Sequence, residues 1–175
     1  DITFDTKDMT IASGGRVSAA SGGTGAAGNI AVNASSSLSV NGRDGDNNCG
    51  IFTLTGKDGG QGGNITIQTP SLSMSKDSRI EASTDSSSKA GDIDLALDWL
   101  TLAHGALVVS QSTGAGNAGN INIAANESIL ISGSGSLNSS GLAVNAHSTG
   151  DGGKLTVNAG NLILTNQGAI EAATD

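Results

Sequence analysis

The sequence predicts an all-β fold in which the chain winds repeatedly on itself: a single-stranded parallel β-helix of about six coils, with three short strands per coil. Three observations predict it. A Gly followed by an apolar–polar–apolar strand recurs along the chain, the apolar residues of each unit alternate with a period of two, and Gly or small polar residues punctuate the alternating runs.

The recurring strand is Gly28-Asn29-Ile30-Ala31-Val32, then Gly63-Asn64-Ile65-Thr66-Ile67, Gly91-Asp92-Ile93-Asp94-Leu95, Gly119-Asn120-Ile121-Asn122-Ile123 and Gly153-Lys154-Leu155-Thr156-Val157; the chain opens in the same phase with Asp1-Ile2-Thr3-Phe4. Units therefore start near 1, 29, 64, 92, 120 and 154, and the first five run 28, 35, 28, 28 and 34 residues. A second apolar pair follows about seven residues after the first: Met9/Ile11, Leu38/Val40, Leu72/Met74, Leu100/Leu102, Ile129/Ile131 and Leu162/Leu164. A third pair uses smaller residues, as in Val17/Ala19, Ile80/Ala82, Val108/Ser110 and Ile170/Ala172. No unit can bury these pairs alone. If each makes one full turn, equivalent strands stack in parallel at about 4.8 Å and six coils rise roughly 30 Å. The Gly before each strand suits a corner that needs either a positive φ or a close backbone approach. The Asn or Asp after it is placed for a ladder of stacked side chains exchanging amide hydrogen bonds.

The two long units each add one residue before the second pair and about six after it, giving loop insertions near 42–50 and 133–141. Both end alike, in Cys49-Gly50-Ile51-Phe52-Thr53-Leu54 and Ser140-Gly141-Leu142-Ala143-Val144-Asn145. They are three units apart, so they are expected on one side, about 14 Å from each other. The reading over 1–175 is one solenoid segment, part of a longer chain or of an end-to-end assembly, because neither terminal unit carries a cover over its strand edges.

Composition excludes several classes. Gly, Ser, Thr and Asn make up nearly half the chain, yet 36% of the residues are hydrophobic and arrive in ordered runs rather than the scatter of a disordered segment. Eight Lys and Arg against 16 Asp and Glu, with 2% aromatics, supply neither the charge nor the stacking platforms for nucleic acid. No apolar stretch has the roughly 20 residues of a membrane-spanning helix. There is no basic, then apolar, leader at the N-terminus, so an export signal is expected outside this segment. The lone Cys49 excludes an internal disulfide.

The motifs G-N-I-T-I, G-N-I-N-I-A-A and G-G-K-L-T-V-N-A-G, each followed by L-x-L and a small-residue x-I-x-A, resemble the repeat region of filamentous-haemagglutinin-like exoproteins, the passengers of two-partner secretion. The resemblance covers essentially the whole chain. It implies a right-handed helix and an extracellular or bacterial cell-surface location. It also implies a non-catalytic structural or adhesive role as a rod or fibre. The implied partners are neighbouring coils or further copies of the chain, surface glycans, or proteins of another cell.

Parallel β-helices also include polysaccharide-cleaving enzymes, which use two carboxylates. The candidates are Asp92, Asp94 and Asp98 beside Trp99, with Asp92 and Asp94 facing outward from a strand and Asp98 and Trp99 in the following turn. A solvated strand face is the preferred reading of them, and the chain is read as not an enzyme. Gly59-Gly60-Gln61-Gly62-Gly63-Asn64-Ile65-Thr66-Ile67 approaches a calcium-binding nonapeptide but has Asn64 where Asp is needed and Thr66 in the large apolar slot. Asp44-Gly45-Asp46-Asn47 offers oxygens like the start of a calcium loop, but Thr55 stands where a bidentate Glu is required. His104 and His147 lack partner ligands. Cys49 is read as a small residue ahead of Gly50, with a reactive thiol or an intermolecular crosslink as the alternatives. Asn33, Asn64, Asn126 and Asn138 each head an N-x-S/T triplet open to glycosylation. No residue set meets the demands of a catalytic, cofactor or metal site.

Overall fold

The computed structural model describes residues 1–45 and 47–174, and all regular structure among them is β. One parallel sheet contains the long strands β1 (Ile2–Ala12), β3 (Ile30–Asn41), β7 (Ile65–Ser75), β9 (Ile93–Ala103), β11 (Ile121–Ser132) and β13 (Leu155–Thr165) in that order. A second contains the short strands β2 (Arg16–Ser21), β6 (Gly50–Thr55), β8 (Arg79–Thr84), β10 (Leu107–Ser112), β12 (Gly141–Ala146) and β14 (Ala169–Thr174), again neighbouring in chain order. The two-residue strands β4 (Arg43–Asp44) and β5 (Asn47–Asn48) pair antiparallel inside the first insertion. Every repeat unit thus gives one strand to each six-stranded sheet.

Register follows the repeat. Ile2, Ile30, Ile65, Ile93, Ile121 and Leu155 are partners in succession across the first sheet. So are Met9, Leu38, Leu72, Leu100, Ile129 and Leu162. In the second sheet Val17, Ile51, Ile80, Val108, Leu142 and Ile170 form one such column. These columns are the core: Ile65, Ile67, Met74, Ile80, Ile93, Leu102 and Ile121 are fully buried. A one-residue slip would turn a whole strand's apolar set outward, so the pattern itself fixes the pairing.

The structure differs from the expected three strands per unit. The first two apolar pairs lie on one continuous strand that bends in the middle. In β7 the buried Ile65, Ile67 and Thr69 are followed by the buried Leu72 and Met74, so Pro70 and Ser71 both turn away from the core. Two successive outward residues bend an extended chain without ending it. The chain's only Pro fits there because a bend is where a strand can dispense with an N–H donor. β3 and β11 hold the extra residue of the long units at this bend, since Thr6 pairs with Ala34 but Asp8 with Ser37, and Leu97 with Ala125 but Trp99 with Ser128.

Of the two reasons proposed for the corner glycines, closeness is the one that applies. None of Gly63, Gly91, Gly119 and Gly153 has a positive φ, but a Cβ on each would lie 1.7–2.0 Å from the carbonyl oxygen of the corner glycine one unit earlier. Left-handed backbone is found instead at the turns from long to short strand, at Ser13-Gly14, Lys76-Asp77, His104-Gly105 and Asn166-Gln167. The polar ladder also differs from the expectation. The side-chain oxygen of each residue after the corner accepts the backbone N–H of its counterpart in the next unit: Asp1 from Asn29 (2.7 Å), Asn29 from Asn64 (2.9 Å), Asn64 from Asp92 (2.9 Å), Asp92 from Asn120 (2.6 Å) and Asn120 from Lys154 (2.9 Å). The reason is that the corner turns this N–H along the stack, where a short side chain reaches it. Inside, the small third pair serves the same corner, with Thr53 Oγ1 donating to the Gly63 carbonyl (2.6 Å) and Ser110 Oγ to that of Gly91 (2.9 Å).

Gly91→Ala should therefore destabilise the fold by about 3 kcal/mol or more, because the backbone it strikes cannot yield. Gly22→Ala, where a Cβ meets nothing within 4 Å, should change stability by less than about 0.5 kcal/mol. Urea denaturation of the two variants checks both.

Candidate functional site

The outward side chains of the second sheet and the insertion before β12 enclose a groove of about 330 Å³. Small residues shape its floor: Gly141 and Ala169 continue the column of Arg79 and Leu107, and Ala143 follows Glu81 and Val109 in the next column. Arg79, Gln111 and Glu171 bound it along the sheet, and Asn138 and Ser139 of the insertion form part of the wall.

Arg79 Nη1 pairs with Glu81 Oε2 at 3.0 Å, and Gln111 Nε2 donates to Glu81 Oε1 at 3.0 Å, so both oxygens of this buried carboxylate are engaged. Two other groups lining the groove are not. Arg79 Nε and Asn145 Oδ1 are buried without a hydrogen-bond partner, one a donor from the third unit and one an acceptor from the fifth. An unpaired buried polar atom costs roughly 1–3 kcal/mol, and both atoms are enclosed within the protein beside the groove.

The insertion that forms the wall is held by Asp77. This buried carboxylate accepts Ser136 Oγ (2.7 Å) and the backbone N–H groups of Ser136 (3.1 Å) and Leu137 (3.2 Å). The reach spans the intervening fourth unit, and glycine at 105 makes it possible, since a Cβ there would lie 2.2 Å from Asp77 Oδ1. Gly135 N–H donates to the Asn138 carbonyl (2.8 Å) and Ser140 N–H to that of Gly133 (2.8 Å), which closes the loop at its base. Leu137 at the tip is exposed.

Asp92, Asp94 and Asp98 are each tied to the next unit: Asp92 to the Asn120 N–H, Asp94 to Asn122 Nδ2 (2.9 Å) and Asp98 to Asn126 Nδ2 (2.7 Å), while Asp92 also pairs with Lys89 Nζ (2.6 Å) at the end of the preceding unit. Asp98 and Trp99 lie at the bend within β9, not in a turn after it, and Trp99 is half exposed. The structure thus places Asp92 at the corner before β9 and Asp94 and Asp98 on it, each hydrogen-bonded to an asparagine of the next unit. Their ladder role is shared by Asp8, whose carboxyl lies below its usual range because Ser37 and Ser36 donate to it. His104 and His147 are exposed on turns after different strands, β9 and β12. In the Asp44–Asn47 turn, Asp46 and the side chains of Asp44 and Asn47 lie outside the described residues. Among the described residues no three His, Cys, Asp or Glu converge as a metal would require. Cys49 is a free thiol buried in the core, where burial raises its pKa against the opposing effect of hydrogen bonds from the backbone of Asn41, Gly14 and Gly15.

Asp77→Ala should cost about 3 kcal/mol through the lost charged hydrogen bonds and speed hydrogen exchange at Ser136 and Leu137, while the Ile65 and Ile93 amides stay protected. Cys49 should resist a thiol reagent such as iodoacetamide in the native protein and react fully in denaturant, as mass spectrometry would read.

No family model matches the chain, and neither a curated protein nor a solved structure gives a match.

Proposed function

We propose that the chain winds as a right-handed parallel β-helix and is a non-catalytic structural or adhesive repeat segment of a secreted or cell-surface exoprotein, in the manner of the filamentous-haemagglutinin-like repeats it resembles. The observation that carries this reading is the continuity of the apolar columns through both sheets, kept even though the long units add a residue at the bend and an insertion after it. Such a stack extends by adding units without changing its cross-section, which suits a spacer or rod. Both insertions leave from the same link, between a long strand and the following short one. That arrangement keeps the loops on a side of the stack available for contact while the columns provide stiffness.

In this reading the outer edge of β13 receives another coil, from the parent chain or a second copy. Leu162 and Leu164 are 46% and 40% exposed there, in the same columns as the buried Ile129 and Ile131. The aspartates that a carbohydrate-cleaving enzyme would use are committed to asparagine partners, which favours the structural role over that alternative.

Incubation with a panel of polysaccharides should release no new reducing ends or unsaturated products. Cleavage that Asp94→Ala abolishes would overturn the non-catalytic reading. Light scattering at rising concentration should show growth of end-to-end species, and a strict monomer at high concentration would remove the second-copy version and leave the parent chain as the source of the next coil.

A further inference from the structure

We infer that the outer face of the first sheet carries, across the fourth and fifth units, a trough that binds a neutral glycan chain. The inference rests on the adhesive part of the reading above and gives that part a surface and a class of partner.

The trough follows from one column of outward residues. Asp5, Asn33, Gln68, Ala96, Ala124 and Asn158 are successive partners across the sheet, so two methyl groups stand where every other unit has a longer polar side chain. Both alanines are exposed, so core packing does not call for them, and Ala is depleted in strands. The result is two adjoining hollows of about 330 and 350 Å³ that share Gln68, Ala96 and Ala124. The same two units bound the trough along the strands. Asn122 Nδ2 donates to Asp94 Oδ1 (2.9 Å) at one end and Asn126 Nδ2 to Asp98 Oδ1 (2.7 Å) at the other, both pairs lying on the exposed face. Four residues separate the pairs, a run of about 13 Å of extended chain. Gln68 and Asn158, also exposed, flank the floor across the strands.

The chemistry of the rim selects the ligand. Each Asp–Asn pair spends one carboxylate oxygen and one amide hydrogen on itself. It leaves Asp Oδ2 and Asn Oδ1 as acceptors and the second amide hydrogen as a donor. A hydroxyl both donates and accepts, so neighbouring hydroxyls of a sugar can use the whole set. An ammonium group only donates, and its attraction to a solvated carboxylate is worth little. Among the described residues no Lys, Arg or His lines either hollow, and the chain has a net charge of −8, which disfavours an acidic ligand. Next to Asp98, Trp99 stands in register with the short side chains of Ser71 and Ser128 and is 51% exposed. Its ring offers an apolar face to the C–H side of a sugar beside the polar pair. A polar pair at each end of a methyl floor suits an extended chain of neutral sugars better than one ring.

The test is a titration of the intact chain against neutral oligosaccharides (gluco-, manno-, galacto- and xylo-oligomers), with oligogalacturonate as the acidic arm and a chitosan oligomer and oligolysine as cationic arms. At least one neutral series should bind saturably by calorimetry and shift the tryptophan emission to the blue. Trp99 is the chain's only tryptophan, so that signal reports this face alone. The double variant Ala96→Gln/Ala124→Gln, which carries the side chain of position 68 across the floor, should weaken binding at least tenfold with an unchanged melting temperature. Trp99→Ser, with the residue found at 71 and 128, should weaken it at least threefold by calorimetry and serves as the test should the double variant fail to fold. No binding in any neutral series, preference for the acidic or a cationic arm, binding that leaves the Trp99 emission unmoved, or binding indifferent to the folded variants would overturn the inference. Failure of the underlying reading shows elsewhere, as cleavage of a bound glycan or as lost hydrogen-exchange protection at Ile65 and Ile93.

Discussion

At each corner where a unit enters its long strand, two stretches of main chain from successive units touch with no side chain between them. A Cβ on Gly91 would lie 1.8 Å from the Gly63 carbonyl oxygen, and the same contact repeats at Gly119 and Gly153. Strand spacing in a sheet is set by backbone hydrogen bonds, and the corner has to close at that same spacing. Once it does, the residue after the glycine can hand its side-chain oxygen to the next unit's N–H, and the hydroxyls of Thr53 and Ser110 can reach the corner carbonyls from inside. The aliphatic columns then supply the free energy, since a fully buried Ile or Leu contributes roughly 1.5–3 kcal/mol. The glycine contact contributes little itself, but every other interaction presupposes it.

The two insertions show how a stack with such tight corners accommodates variety. Both leave from the link between a long and a short strand, the side of the unit opposite the glycine corner in chain order, and both rejoin at a glycine that starts the short strand. The extra residue that each long unit takes up at its bend is absorbed as a bulge, so partners downstream return to register. Length therefore varies at two tolerant places while the corner stays fixed. The second insertion is further disciplined by Asp77, whose side chain crosses over Gly105 to a loop 59 residues away in sequence.

The columns were legible because two signals coincide: glycine phases the units, and period-two alternation phases the strands. Ile30, Ile65, Ile93 and Ile121 could be aligned by eye, and they are partners in the sheet. The continuity of the long strand was not legible. Ser and Thr between the first two apolar pairs read as a break, whereas two outward residues at a bend, such as Pro70 and Ser71, preserve extended backbone and pairing on both sides. The ladder residues were visible but their partner was not, because a short oxygen-bearing side chain serves amide–amide stacking and N–H capture equally well. Nothing in the sequence marked the groove or Asp77. Both depend on where an irregular loop lands against residues of other units, and alternation carries no information about that. Cys49 beside Gly50 was read first as a small residue, and its burial within the packed columns favours that over an exposed thiol or a crosslink.

The oxygen ladder is directional. Asp1 serves Asn29, which serves Asn64, and so on to Lys154, always from the earlier unit to the later. A polypeptide that folds in the order of its synthesis would thus find a fixed acceptor waiting at the start of each new winding, and a strand offset by one residue would present the wrong amide to it. Each layer thus meets an acceptor already fixed by the layer before it, and the ladder has the same polarity as the chain.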